Sequence, residues 1–169
     1  MAAKRSRKTV EIPAALVASM QQQRVIMFLG AGASMEAGAP SGDALRASLA
    51  KQFFGTEMDG YDLMSVAEMA LQAHGNGVVF EYLRTLLASY EPSDAHKLLP
   101  TFRWRTIATT NYDLLVERAY AATPNRVQNL VTFVRDTEPV EERMQAATRG
   151  VEFLKLHGCL EQLHDPALP

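Results

Sequence analysis

The apolar run Val25-Ile26-Met27-Phe28-Leu29 passes directly into the glycine-rich turn Gly30-Ala31-Gly32-Ala33-Ser34, and few folds accommodate that junction. A buried strand that ends in Gly-x-Gly can turn sharply and let backbone N–H groups approach a phosphate with no Cβ in the way. A helix that follows points its positive end at the same charge. Glycine at position 32 is therefore expected both to leave room for a pyrophosphate and to supply any positive φ the turn requires. The turn is not the usual dinucleotide fingerprint. The third glycine is replaced by Met35, and no acidic ribose contact stands near Lys51, about 20 residues on.

The rest of the chain alternates between the two periodicities. Residues 12–25 are compatible with a helix, with Pro13 in its first turn and Leu16, Val17 and Met20 on one face. After the flexible stretch 37–42, Leu45, Leu49 and Phe53 recur at helical spacing and read as core. Residues 62–73 and 78–90 predict two further helices separated by His74-Gly75-Asn76-Gly77, with Met64, Met69, Leu83, Leu86 and Leu87 as packing residues. Pro92 and Asp94 open a short helical turn that holds His96, and Pro100 closes it. Strands are expected at 104–110, 127–134 and 151–156, with helices from Leu114 to Tyr120 and from Pro139 to Ala147.

Strands alternating with helices predict an α/β fold, a Rossmann-like, doubly wound parallel sheet carrying an inserted helical segment at about 43–100. In such sheets ligands bind outside the carboxyl ends of the strands. Three polar clusters fall there, at 30–34, 110–113 and 157–158, so one crevice can hold all three. The expected organisation is an N-terminal tail and helix over residues 1–24 and a nucleotide-binding domain over 25–169.

Composition narrows the function classes. The chain has 169 residues and a formal net charge of -2, with a sequence pI near 6.1, which is a poor electrostatic footprint for nucleic acid. The cluster Lys4-Arg5-Arg7-Lys8 has no interleaved aromatic residue and reads as a solvated terminus. Cys159 is the single cysteine, which rules out an internal disulfide and any Cys-x-x-Cys metal site and suggests a reducing compartment. No stretch approaches the length of a membrane span and no signal peptide is evident. A cytoplasmic protein without membrane or direct nucleic-acid contact is the expectation.

Four ordered motifs carry a resemblance: Gly30-Ala31-Gly32-Ala33-Ser34 with Gly38-Ala39-Pro40, Pro92-x-x-x-His96-x-x-Leu99, Thr110-Asn111-Tyr112-Asp113, and Leu156-His157-Gly158. From about Val25 to Gly158 the chain resembles the sirtuin superfamily, and is most similar to the SIR2-like domains at the N-terminus of bacterial anti-phage effectors. The resemblance implies that Gly30, Ala31, Gly32, Ser34, Pro40 and Thr110 hold NAD, that Asp113 lies beside the nicotinamide-side pocket, and that Asn111 and His157 are the catalytic pair. The His96 position is usually structural in the family, and a satisfied scaffold histidine is the plainer role. His74 and His164 have no motif around them and read as surface residues.

These residue types suit cleavage of NAD. Nicotinamide leaves as a neutral molecule from a cationic ring nitrogen, so the site has no leaving group to protonate. It must fix the ribose as it gains oxocarbenium character and deliver a nucleophile to C1′. An amide such as that of Asn111 can orient water or a ribose hydroxyl. The imidazole of His157 is a side chain of the type that can take the proton. The plainer alternatives are a helix cap for Asn111 and a turn residue for His157.

Two departures shape the expectation. Where deacylases of the family carry Asp-Phe-Arg after the proline, this chain has Ser41-Gly42-Asp43, and the four-cysteine zinc module has no counterpart, so no metal is expected. Family members also continue with further βα units past the His-Gly strand, so the resemblance implies a C-terminally incomplete domain. The expected function is an NAD+ glycohydrolase, the effector domain of a defence system, self-associating and joined to further domains or subunits. An NAD-dependent protein deacylase and a non-catalytic module that binds NAD or ADP-ribose are the alternatives.

Overall fold

The computed structural model describes residues 10–134 and 137–160. The basic cluster at 4–8 and His164 lie outside the described residues. The chain runs α1 (Ala14–Gln21), β1 (Ile26–Leu29), α2 (Ala31–Met35), α3 (Gly42–Phe54), α4 (Leu63–His74), α5 (Asn76–Ala88), α6 (Asp94–Leu98), a 3-10 turn (Leu99–Thr101), β2 (Thr106–Thr109), α7 (Leu115–Ala121), β3 (Asn129–Phe133), α8 (Val140–Ala146) and β4 (Gly150–Lys155). The four strands form one sheet in the order β1-β2-β4-β3, and every pairing is parallel. The fold is thus α/β and Rossmann-like, with helices flanking the sheet. No described helix is long and apolar enough to cross a membrane.

Each strand forms where the sequence concentrates β-branched and apolar residues, and β1, β2 and β3 are shorter than their expected runs. Strand β2 keeps only Thr106–Thr109 of the expected 104–110, because Trp104 is drawn out of the ladder. Its indole donates to Leu99 O at 2.9 Å, while the Gln128 amide brackets its backbone N–H and C=O. All four β2 residues are buried, as a central parallel strand demands. Strand β4 instead alternates, with Val151, Phe153 and Lys155 inward.

Burial is organised in two clusters. Leu99, Trp104, Ile107, Val116, Tyr120, Val151 and Phe153 form the core of the sheet. Leu49, Ala50, Val66, Ala70 and Val79 form a separate core inside the helical insert, which the structure bounds at α3 and the 3-10 turn. The predicted stripe Leu45, Leu49 and Phe53 belongs to that second core.

Two expectations are corrected. Met64, expected to pack, is 73% exposed, because it lies in the first turn of α4, next to the cap at Asp62. Helix α1 buries no residue; Leu16 and Val17 are largely exposed, and of its expected stripe Met20 reaches the sheet core.

Helix α6 is built around His96, which is 4% exposed. Ser93 caps the helix through the His96 N–H and also contacts the ring at Nδ1, 2.8 Å away. Burial pushes His96 below the ordinary histidine pKa, against the opposing pull of the Asp113 and Glu36 charges. A lowered pKa means that the unfolded chain binds the proton more readily than the folded one. The stability this site contributes is complete above about pH 6.5 and is lost as pH falls from there through the folded-state value. Thermal melts from pH 7.5 to pH 5 are expected to fall less steeply for His96→Gln than for the wild type; identical slopes would show that His96 does not titrate on unfolding.

Candidate functional site

The parallel register sets the carboxyl ends of β1, β2 and β4 side by side, with Leu29 paired to Thr109 and Thr109 to Lys155. The pairing runs one residue further on each side, as Thr110 N–H donates to Leu29 O and Leu156 N–H to Thr109 O. The three expected polar clusters therefore leave the sheet together. Ala31, Ser34, Pro40, Thr110, Asn111, Asp113 and His157 line one cavity of about 230 Å³, whose far wall is built from Leu45, Leu63, Met64 and Leu87 of the insert.

A chain of side-chain hydrogen bonds closes the base of this cavity. Asn111 Nδ2 donates to Gly30 O at 3.0 Å and to Ser34 Oγ at 2.9 Å. The Ser34 hydroxyl donates to Asp113 Oδ2 at 2.6 Å, and Asp113 Oδ1 accepts the Leu115 N–H at 3.1 Å. The orientation of the Asn111 amide follows from chemistry, since a carbonyl such as Gly30 O only accepts. Its Oδ1 faces no protein donor among the described residues. At the start of α7 the cap position is Leu114 and the side chain that accepts a backbone N–H is that of Asp113, so Asn111 does not cap this helix.

His157 is exposed in the turn after β4, its ring 6.4 Å from that of Tyr112 and tilted by 40°. Its ring nitrogens make no hydrogen bond among the described residues. The turn itself is held down by Leu160 N–H, which donates to Tyr112 O at 3.2 Å, and by Gly158 at φ +98, a conformation that favours glycine.

The glycine turn departs from expectation in one respect. Gly30 has φ -109, Gly32 lies inside α2, and neither is among the positive-φ glycines. A Cβ at either position would meet nothing within 4 Å. Positive φ is required instead at Gly38, φ +88, where the chain folds back under Tyr90 so that Ala39 N–H can donate to Ser34 O. Beyond Pro40, Ser41 is the cap of α3, accepting from Ala44 N–H at 3.2 Å. That is a local use for the serine that departs from the deacylase pattern.

Motif reading missed Lys155. Its side chain has no exposed surface, and its ammonium donates to Asp113 O at 2.5 Å, Tyr112 O at 3.4 Å and Glu117 Oε1 at 2.9 Å. Burial raises the Glu117 pKa, opposed chiefly by the Lys155 charge, and Glu117 Oε2 is buried without a partner. The signal was present in the alternation Val151, Phe153, Lys155. A lysine on the inward face of a strand needs an anion, and Glu117 stands on the helix that packs there.

With this geometry in place, one comparison bears on the second half of the sheet. Residues 105–167 match the family model of the SIR2-like domain. Among curated proteins none matches the chain. The SIR2-like match takes in β2, α7, β3, α8 and β4, and with them Thr110, Asn111, Asp113, Lys155 and His157. SIR2-like domains bind NAD and include NAD-dependent enzymes. The glycine turn and the insert lie before the matched residues, and the turn is tied to the matched segment by the Asn111 and Asp113 bonds. Among the described residues no group of three or more His, Cys, Asp or Glu side chains is placed to hold a metal.

The Asn111 amide bridges the two parts, and its substitutions are expected to rank accordingly. Asn111→Asp places a carboxylate oxygen against Gly30 O and should lower unfolding stability by about 2–3 kcal/mol, against about 1 kcal/mol for Asn111→Ala. Urea unfolding measures both, and equal losses would show that the bond to Gly30 O does not hold the turn.

Proposed function

We propose that the chain is an NAD+ glycohydrolase that releases nicotinamide and ADP-ribose, acting as the effector domain of a bacterial anti-phage defence system, with self-association and further subunits or domains as its partners. The observation that carries the chemistry is that Asn111 Oδ1 and the His157 ring, neither of which has a hydrogen-bond partner among the described residues, line the same cavity at the carboxyl ends of the strands, beside the Thr110 and Tyr112 hydroxyls. An acceptor that can orient water or a ribose hydroxyl and an imidazole that can take the proton are what hydrolysis at C1′ requires. The defence assignment rests on the resemblance of the motifs alone.

The cavity, at about 230 Å³, is smaller than the roughly 300–1,000 Å³ that encloses a drug-sized ligand. It suits one end of the dinucleotide, the nicotinamide ribose, with the pyrophosphate lying over α2. The empty space beside Gly30 and Gly32 supports that placement. Residues that could hold NAD are Gly30, Ala31, Gly32, Ser34, Pro40, Thr110 and Asp113; Ser34 and Asp113 are already bonded to each other and act by shaping the floor.

A second reading, acyl-lysine deacylation, draws on the apolar hollow of about 180 Å³ that adjoins the cavity and shares Leu45, Leu63, Met64, Leu87 and Tyr112 with it. The two separate on one assay, nicotinamide release from NAD with and without an acyl-lysine peptide. Release without peptide is expected, and release only with peptide would replace the hydrolase by the deacylase.

Within the active protein, Asn111→Ala and His157→Ala should each lower kcat by about 10²-fold or more with little change in KM, and the double variant should lose far less than the product of the two. Wild-type turnover in His157→Ala would remove the base from the scheme. Because nothing crowds position 32, Gly32→Val is expected to fold with a Tm within about 4 °C of wild type while calorimetry shows NAD binding lost; retained binding would place the pyrophosphate elsewhere.

A further inference from the structure

Resting on the assignment of this cavity to NAD cleavage, we propose that Lys155 is a positioning residue that fixes the catalytic pair, by clamping the backbone of the Asn111 loop to the strand that ends in His157. Lys155 is the last residue of β4, two positions before His157, and its side chain crosses under the loop after β2. There the ammonium holds two successive carbonyls, Tyr112 O and Asp113 O, and the Glu117 carboxylate. Those carbonyls belong to the two residues that follow Asn111. The same loop receives Leu160 N–H at Tyr112 O, from beyond His157. The distance between the Asn111 and His157 backbones is thus set by one enclosed cation and one amide.

The strand pairing alone does not set it. The β2–β4 ladder aligns Thr109 with Lys155 and closes with Leu156 N–H on Thr109 O, and past that point both chains leave the sheet. A loop free to shift by an ångström would carry Asn111 Oδ1 away from a ribose that His157 still reaches, and misplacement on that scale lowers rates by about 10²-fold. Glu117 has a distinct part in this arrangement. It supplies the counter-charge without which an enclosed ammonium would not persist, while the carbonyl contacts hold the loop.

That division yields a test on the full chain. Lys155→Met alone strands the buried Glu117 carboxylate and may not fold, so the informative variant is Lys155→Met with Glu117→Gln, which removes both charges. Replacing a buried ion pair by neutral groups is often close to neutral for stability, so the double variant is expected to melt within about 4 °C of wild type. Its kcat for NAD should fall by about tenfold or more with KM within about threefold, and amide hydrogen exchange across residues 110–114 should quicken while β2 and β4 stay protected. Wild-type exchange across 110–114 in the folded double variant would overturn the proposal, as would quickened exchange in an active protein with unchanged kcat. If the double variant fails to fold, Glu117→Gln alone, which withdraws the counter-charge from the enclosed ammonium, should quicken exchange across 110–114 and lower kcat, and wild-type exchange and kcat there would overturn the proposal. Quickened exchange in the double variant of a protein that never hydrolyses NAD would leave Lys155 as the clamp and refute only the hydrolase reading.

Discussion

Thr109 is the point on which the site depends. It ends the central strand, paired to Leu29 on one side and to Lys155 on the other. Its hydroxyl donates to Leu29 O at 3.0 Å and accepts the Asn111 N–H at 3.0 Å, while its carbonyl accepts from Leu156 N–H. Three chain segments therefore leave the sheet from one buried residue. A parallel sheet brings like ends together by construction, and a threonine at the last rung lets the side chain continue the pairing after the backbone has turned away.

Around that rung the polar groups are almost fully matched. Asn111, Ser34 and Asp113 form one directed sequence of donors and acceptors from the glycine turn to the start of α7. Lys155 and Glu117 form a second on the far side of the loop. Matched groups make a rigid floor, since a buried donor or acceptor without a partner is costly. Among the described residues, the groups left over at the cavity include the Asn111 side-chain carbonyl and the His157 ring, so in Asn111 one atom holds the scaffold and another faces the cavity.

The helical insert supplies what the sheet cannot. It carries its own core and presents Leu45, Leu63, Met64 and Leu87 as an apolar wall opposite the polar floor. Exposed Met64 belongs to that wall. One wall of leucines and one of hydrogen-bonding groups is the usual composition of a small-molecule pocket.

Much of this was legible in the sequence because the two signals involved are local. Strand and helix periodicity predicted the four strands and the longer helices to within a few residues, while α2 forms where the sequence reads as a turn; the positions 30–34, 110–113 and 157–158 could be placed at strand ends without coordinates. Other features depended on contacts between distant segments. Gly30 and Gly32 were expected to serve backbone conformation, yet their φ values are ordinary and Gly38 carries the strained turn, because where a chain must fold back is decided by what it returns to. Lys155 belongs to none of the sequence motifs, and its contacts exist only where β4 lies beside β2 and α7 brings Glu117 within 2.9 Å. The sequence by itself determined an alternating α/β chain with its polar residues at the strand ends, since periodicity and turn chemistry act over a few residues. Tertiary structure alone decided which of those residues bond to each other and which face the cavity, since a hydrogen bond between positions about 80 apart in the chain, as from Asn111 to Gly30, is set by sheet register.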